Sequence, residues 1–237
     1  MTHQVARIFD CDFIYFDLLF CAIWIFVLIR KKKYEEFLFG LFGAIIVFLI
    51  DDIIWLHIQG TRHIAGPVQS DLFLLYFSFT YGMIEFSYVT IMFGVNKNIS
   101  RLYWTLFLYV GWIASALMSQ KLPIDDRSID IYREMAGIRP VQISIVVIGY
   151  VLLIVMKYSW KSIRHLRWRT LAYLFIVGVL VHFGMEFSLL ITGVRPSGNL
   201  INVLLFNSLL EFNMGIPFLY MMWVFFREKC NPQVDHS

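Results

Sequence analysis

Seven long apolar blocks, at roughly 13–29, 37–59, 71–94, 101–118, 140–158, 169–193 and 198–226, run through this sequence with few charges inside them. A bilayer core takes about 20 apolar residues per helix, so blocks of this length leave little chain for a soluble domain. Backbone that crosses lipid has to satisfy its own polar groups, which restricts such segments to helices or closed barrels. Uninterrupted apolar runs, rather than alternating ones, favour helices. The expected fold class is therefore an all-α integral membrane protein, a seven-transmembrane helix bundle formed by a single domain over residues 1–237.

Charge placement predicts the orientation. All but seven of the 20 lysines and arginines lie in the connections at 30–36, 95–101 and 157–169 or in the tail after 226. The other seven are Arg7, Arg62, Lys121, Arg127, Arg133, Arg139 and Arg195. Cytoplasmic loops are enriched in basic residues, which predicts the N-terminus outside and the C-terminus in the cytoplasm. The longest connection, 119–139, carries Asp125, Asp126, Asp130 and Glu134 and faces out in this scheme. The N-terminal segment is not expected to be a cleaved signal, because its apolar run contains Asp17 and precedes the basic cluster.

Composition narrows the function classes. Hydrophobic residues make up 59% of the chain and charged residues 16%, with mean hydropathy +0.69. The net charge of +3 sits at the ends of the spans rather than on one face, so nucleic acid is not an expected partner. Cys11, Cys21 and Cys230 have neither zinc nor disulfide spacing. The last span has no lysine to hold a retinal, and no zincin, nucleophile-elbow or P-loop motif occurs. Asp51-Asp52-Ile53-Ile54-Trp55 lacks the third aspartate of a diphosphate–magnesium motif. His57 and His63 lie near these acids without a recognised ligand spacing, so neither metal nor cofactor is expected.

The chemistry-bearing residues are acids within the spans. A charge at the centre of a bilayer is costly, so a carboxyl group there is a functional candidate. Asp51 and Asp52 fall in span 2, Glu85 in span 3, Glu186 in span 6 and Glu211 in span 7. No lysine or arginine is expected at comparable depth, and burial without a counter-ion favours the neutral acid. Helical spacing adds polar and aromatic neighbours to the acids. Ser78, Tyr81, Glu85 and Tyr88 share one stripe, His182 and Glu186 are i, i+4 neighbours, and Asn207 and Ser208 flank Glu211.

An internal echo also runs through the chain. Ile58-Gln59-Gly60-Thr61-Arg62 resembles Ile191-Thr192-Gly193-Val194-Arg195, and Ile84-Glu85-Phe86-Ser87 resembles Leu210-Glu211-Phe212-Asn213. Spans 2–3 would then match spans 6–7 in a parallel three-plus-one-plus-three arrangement.

Two segments resemble the membrane-bound terpene cyclases of fungal meroterpenoid and indole-diterpene biosynthesis, the paxilline-type integral membrane cyclases. They are Ile50-Asp51-Asp52-Ile53-Ile54-Trp55 and Glu211-Phe212-Asn213-Met214-Gly215-Ile216-Pro217-Phe218-Leu219-Tyr220. Asp52 matches the family's span-2 acid and Glu211 its span-7 acid, with Gly215, Phe218 and Tyr220 at the family's spacing. The chain departs from the pattern in having Asp for Glu in span 2, no preceding Trp, and Glu for Asp in span 7.

The resemblance implies a metal-independent cyclase that protonates a prenylated or epoxyprenyl substrate. Asp52 and Glu211 would be catalytic, and Asp51, Trp55, Tyr81, Glu85, Tyr88, His182, Glu186 and Asn207 would surround the substrate. The expected partners are the lipid bilayer and a hydrophobic small molecule. Two other readings remain open: a small-solute or proton-coupled transporter of SWEET-like architecture, and a non-catalytic receptor or assembly factor.

Overall fold

A computed structural model describes residues 4–125, 127–134, 137–164, 166–196 and 202–230. The helices follow the apolar blocks closely. They are α1 (Asp12–Arg30), α2 (Tyr34–Phe48), α3 (Ser70–Gly94), α4 (Asn98–Lys121), α5 (Arg139–Ser159) and α6 (Trp168–Ile191). After Phe48, α2 runs on into a wider π-helical turn over Leu49–Ile58, with the Gln59 amide bonding the Ile54 carbonyl at 2.8 Å. Counting that extension, six helices are long and apolar enough to cross a membrane, which makes this a multi-pass membrane protein.

The final segment is broken. A π-helical turn at Asn202–Asn207 leads into α7 (Ser208–Leu210), and turns then lead to α8 (Ile216–Cys230). Its break lies at Glu211–Gly215, just before Pro217, whose missing amide is best tolerated in a first helical turn.

Helix α3 forms the centre of the bundle, with the most buried span of the six. It packs closely along α2, because a Cβ on Gly82 would overlap the backbone of Gly43 and Ala44. Small residues at such a contact let helices approach in lipid, where no hydrophobic force drives them together. The outward faces carry exposed Phe26, Ile45, Val110 and Ile148, as lipid contact requires.

The mainly helical architecture agrees with expectation, but the connections contain a sheet that the all-α reading passed over. Strands β1 (Gln4–Asp10), β2 (Arg62–Ala65) and β3 (Ser128–Glu134) pair antiparallel in the order β1-β3-β2. The N-terminal segment, the α2–α3 connection and the α4–α5 connection therefore meet at one end of the bundle. The Ile8 amide bonds the Val194 carbonyl at 2.8 Å, which brings the segment after α6 to the same end. At the other end, Arg227 near the end of α8 pairs with Glu35 at the start of α2 at 3.0 Å.

Side chains alternate across the sheet with the two-residue period of a strand. Phe9, Ile129 and Ile131 are buried beneath it, whereas Ile8 and Tyr132 face outward. Each strand also sends one arginine from its inner face into the bundle: Arg7, Arg62 and Arg133.

Candidate functional site

Beneath the sheet lies a cavity of about 690 Å³. The π-helical turn supplies Asp51 and Trp55, α3 supplies Tyr81 and Glu85, α6 supplies His182, and the break before α8 supplies Glu211. Most of the remaining wall is apolar, including Phe77, Phe86, Met185 and Phe212. Six residues singled out from the sequence thus converge from four elements: Asp51, Trp55, Tyr81, Glu85, His182 and Glu211.

Two others lie just behind this wall. Glu186 and Asn207 are buried, with Asn207 Nδ2 donating to Glu186 Oε1 at 3.2 Å. Asp52 and Tyr88 do not line the cavity. Asp52 turns away toward His57 and Asp71, and the Tyr88 hydroxyl pairs with Thr105 of α4 at 2.8 Å.

The expectation that the buried acids lack cationic partners is wrong for three of them. Arg62 Nη1 lies 2.7 Å from Asp51 Oδ2, and Arg133 Nη2 lies 2.5 Å from Glu211 Oε1. Arg195 meets both oxygens of Glu186, at 2.5 and 2.6 Å, while Arg7 reaches the same carboxylate at 3.4 Å. Arg139, at the head of α5, lies 3.8 Å from Glu211 and also donates to Asn207. These arginines had counted only as loop charges. The antiparallel sheet and the turn after α6 fold them back into the bundle.

A recurring turn places two of these arginines. Gly60 (φ 60°) and Gly193 (φ 83°) both adopt the left-handed conformation, which glycine takes at little cost. Two residues after each, Arg62 and Arg195 return to an acid of the preceding helical segment. The shared Gly-x-Arg was the signal in the sequence.

Burial disfavours the charged form and lowers Arg62 and Arg195 to about 10 against their carboxylates' pull, so both remain cationic at neutral pH. Burial would likewise lower Arg7, but Tyr81 first, then Glu186, Glu211 and Asp51, outweigh it and raise the group above its ordinary range.

His182 Nε2 stands between two carboxylates, 3.2 Å from Glu211 Oε2 and 3.5 Å from Glu186 Oε1, and is aligned as a hydrogen bond to neither. Arg133 lies over the Trp55 ring at 4.2 Å and Arg62 at 5.4 Å. The face of Trp55 is thus already occupied by protein cations. Tyr81 stacks on Phe77, ring centres 4.4 Å apart, and Phe86 meets Phe212 edge-on at 5.4 Å.

Glu85 differs from the other acids. It is 4% exposed, its Oε1 is buried without a hydrogen bond, and no ion pair to it occurs among the described residues. The Tyr81 hydroxyl, one helical turn away on the same stripe, is also without a partner among those residues. The cavity therefore combines carboxylates paired with arginines and one carboxyl group with no ion pair among the described residues.

The fold and cavity define a class: a multi-pass helical membrane protein with an acid-lined internal pocket. Compared with protein-family models, with curated proteins and with solved structures, the chain matches none.

Proposed function

We propose that this protein is an integral membrane enzyme that cyclises a prenylated or epoxyprenyl substrate by protonating it, with Glu85 as the acid. The observation that carries this reading is the isolation of Glu85 in the cavity wall, while Asp51, Glu186 and Glu211 each have an arginine. A buried carboxyl group without a counter-ion is least costly when uncharged, which is the form that gives up a proton to an alkene or epoxide.

In this mechanism the Glu85 proton adds to the terminal double bond or epoxide oxygen, and a carbocation forms on the prenyl chain. Ring closures carry the cation along the chain, past the faces of Phe77, Tyr81, Phe86 and Phe212. A carboxylate then removes a proton from carbon and a new double bond ends the cascade. Glu211 is the base in this scheme, with His182 beside its free oxygen at 3.2 Å. One proton enters and one leaves, so the product is an isomer of the substrate and no co-reactant is needed. Asp52, the donor expected from the resemblance, gives up that role to Glu85 because it does not open on the cavity.

The cavity volume lies within the range of about 300–1,000 Å³ typical of small-molecule sites. Its side walls include Ile54 of the π-helical turn and Val141 and Ile145 of α5, all partly exposed on the lipid-facing side. α2 and α5 pack mainly on other helices, and in this scheme a membrane-dissolved chain reaches Glu85 by passing between them. Seven spans, with the sheet outside and the C-terminus in the cytoplasm, complete the proposal, since the basic connections gather at the end opposite the sheet.

The test is product analysis of membranes containing the protein, incubated with plain and epoxidised prenyl aromatics. The expected result is a cyclised isomer with wild type and none with Glu85→Gln. The absence of any isomer from membranes in which the protein is folded would contradict the proposal.

A transporter is the second reading, and the matched turns at Gly60 and Gly193 favour it, since transporters are often built from such repeats. Proton-dependent uptake of a polar solute into vesicles, with no isomerisation, would establish that reading instead.

A further inference from the structure

Asp52 is left unexplained by the cavity. One residue on from Asp51 along the π-helical turn, its carboxylate meets His57 and Asp71, and the ligand atoms of the three residues all lie within 4.8 Å of one another. His57 Nε2 is 3.0 Å from Asp71 Oδ1 and 3.8 Å from Asp52 Oδ2. Asp71 comes from the first turn of α3, so the cluster bridges two elements.

The wide turn creates this pairing. Residues five apart in an α-helix point about 140° away from each other, whereas i→i+5 bonding stacks Asp52 near His57. π-Helical turns of this kind often mark functional sites.

An independent observation points to a missing partner. Asp52 is 3% exposed, yet its Oδ1 is buried without a hydrogen bond. Two carboxylates and an imidazole converge here, and no lysine or arginine pairs with either acid among the described residues. A buried carboxyl group beside a second one is costly to ionise unless a cation compensates it.

We propose that Asp52, His57 and Asp71 bind a divalent metal ion, Zn²⁺ by the nature of the donors. Carboxylate oxygen and imidazole nitrogen are both ordinary zinc ligands at about 2.0–2.2 Å. Magnesium and calcium prefer all-oxygen shells, and copper(I) prefers sulfur. The two measured separations allow an ion to reach both atoms of each pair, and the half-exposed Asp71 side chain closes the third by rotation. Three protein ligands leave the fourth position to water, which the exposure of His57 and Asp71 admits. The ion ties the π-helical turn to α3, and so fixes the backbone next to Asp51 on the cavity wall.

This proposal is independent of the cyclase reading and is tested on the purified full chain in detergent, carrying an affinity tag without histidines and stripped with a chelator. ZnCl₂ is titrated by calorimetry, with bound metal counted after dialysis. Wild type is expected to hold one zinc per chain, and His57→Gln and Asp71→Asn each to weaken binding by at least about tenfold. His63→Gln, a change on the neighbouring strand β2, serves as the control and is expected to bind like wild type. Because His57 and Asp71 are half-exposed, both variants are expected to fold, which circular dichroism checks. Folded wild type that takes up no zinc, or equal affinity in wild type and the two variants, would overturn the proposal.

Discussion

At the scale of single residues, the decisive contrast lies among the acids of the cavity wall: Asp51 and Glu211 each pair with an arginine, and Glu85 has no ion pair among the described residues. Removing one partner of a buried pair leaves an uncompensated charge and costs about 3–5 kcal/mol, whereas removing both partners costs much less. Arg133→Gln should therefore lower the thermal midpoint of the protein in detergent strongly, and Arg133→Gln with Glu211→Gln should recover part of the loss. Independent, additive losses in that pair would show that the 2.5 Å contact is not a coupled ion pair.

Glu85→Gln should leave the midpoint close to that of wild type, because no ion pair is lost. The same substitution should abolish the infrared carbonyl band of a protonated carboxyl group at neutral pH; persistence of that band would place the proton on another acid. The sequence made the acids legible, since a carboxyl in an apolar span stands out from its neighbours. Arg62, Arg133 and Arg195 were hidden by their place in the connections, because hydropathy does not report that a loop folds inward.

Three features position the site at the scale of elements: the close α2–α3 contact, the π-helical turn and the sheet. Gly82→Leu should force α2 and α3 apart, since the added side chain meets backbone rather than a movable side chain. Overpacking of this kind costs about 1–3 kcal/mol and displaces Asp51 from Glu85, so activity should fall by more than stability does. A fully active, folded Gly82→Leu protein would show that the two helices need not touch.

Bulky residues at the membrane-side gap, as in Ile54→Trp with Val141→Trp, should raise KM and leave kcat nearly unchanged if substrate enters between α2 and α5. The positions of the first six spans were legible to within a few residues, because twenty apolar positions allow few alternatives; the break in the final segment was not. The sheet was less so. Strand β3, Ser128 to Glu134, alternates polar and apolar residues, but its acids read as an exposed loop. The change from α- to π-bonding at Leu49 leaves no mark in the apolar pattern, and within that turn Asp51, not Asp52, lines the cavity.

For the whole molecule, the sheet seals one end of the bundle and the basic connections mark the other, so the cavity sits in the half nearer the sheet. In intact cells, a tag at the N-terminus should be reachable from outside and one at the C-terminus only after permeabilisation. The reverse pattern would invert the proposed orientation. Turnover of a prenyl substrate by protein-containing membranes in D₂O, with mass analysis of the product, tests whether Glu85 starts a proton-driven cyclisation within the cavity. The expected product is an isomer carrying one deuterium from solvent at the site of initial protonation, formed by wild type but not by Glu85→Gln. An isomer with no deuterium, or one formed equally well by Glu85→Gln, would contradict it.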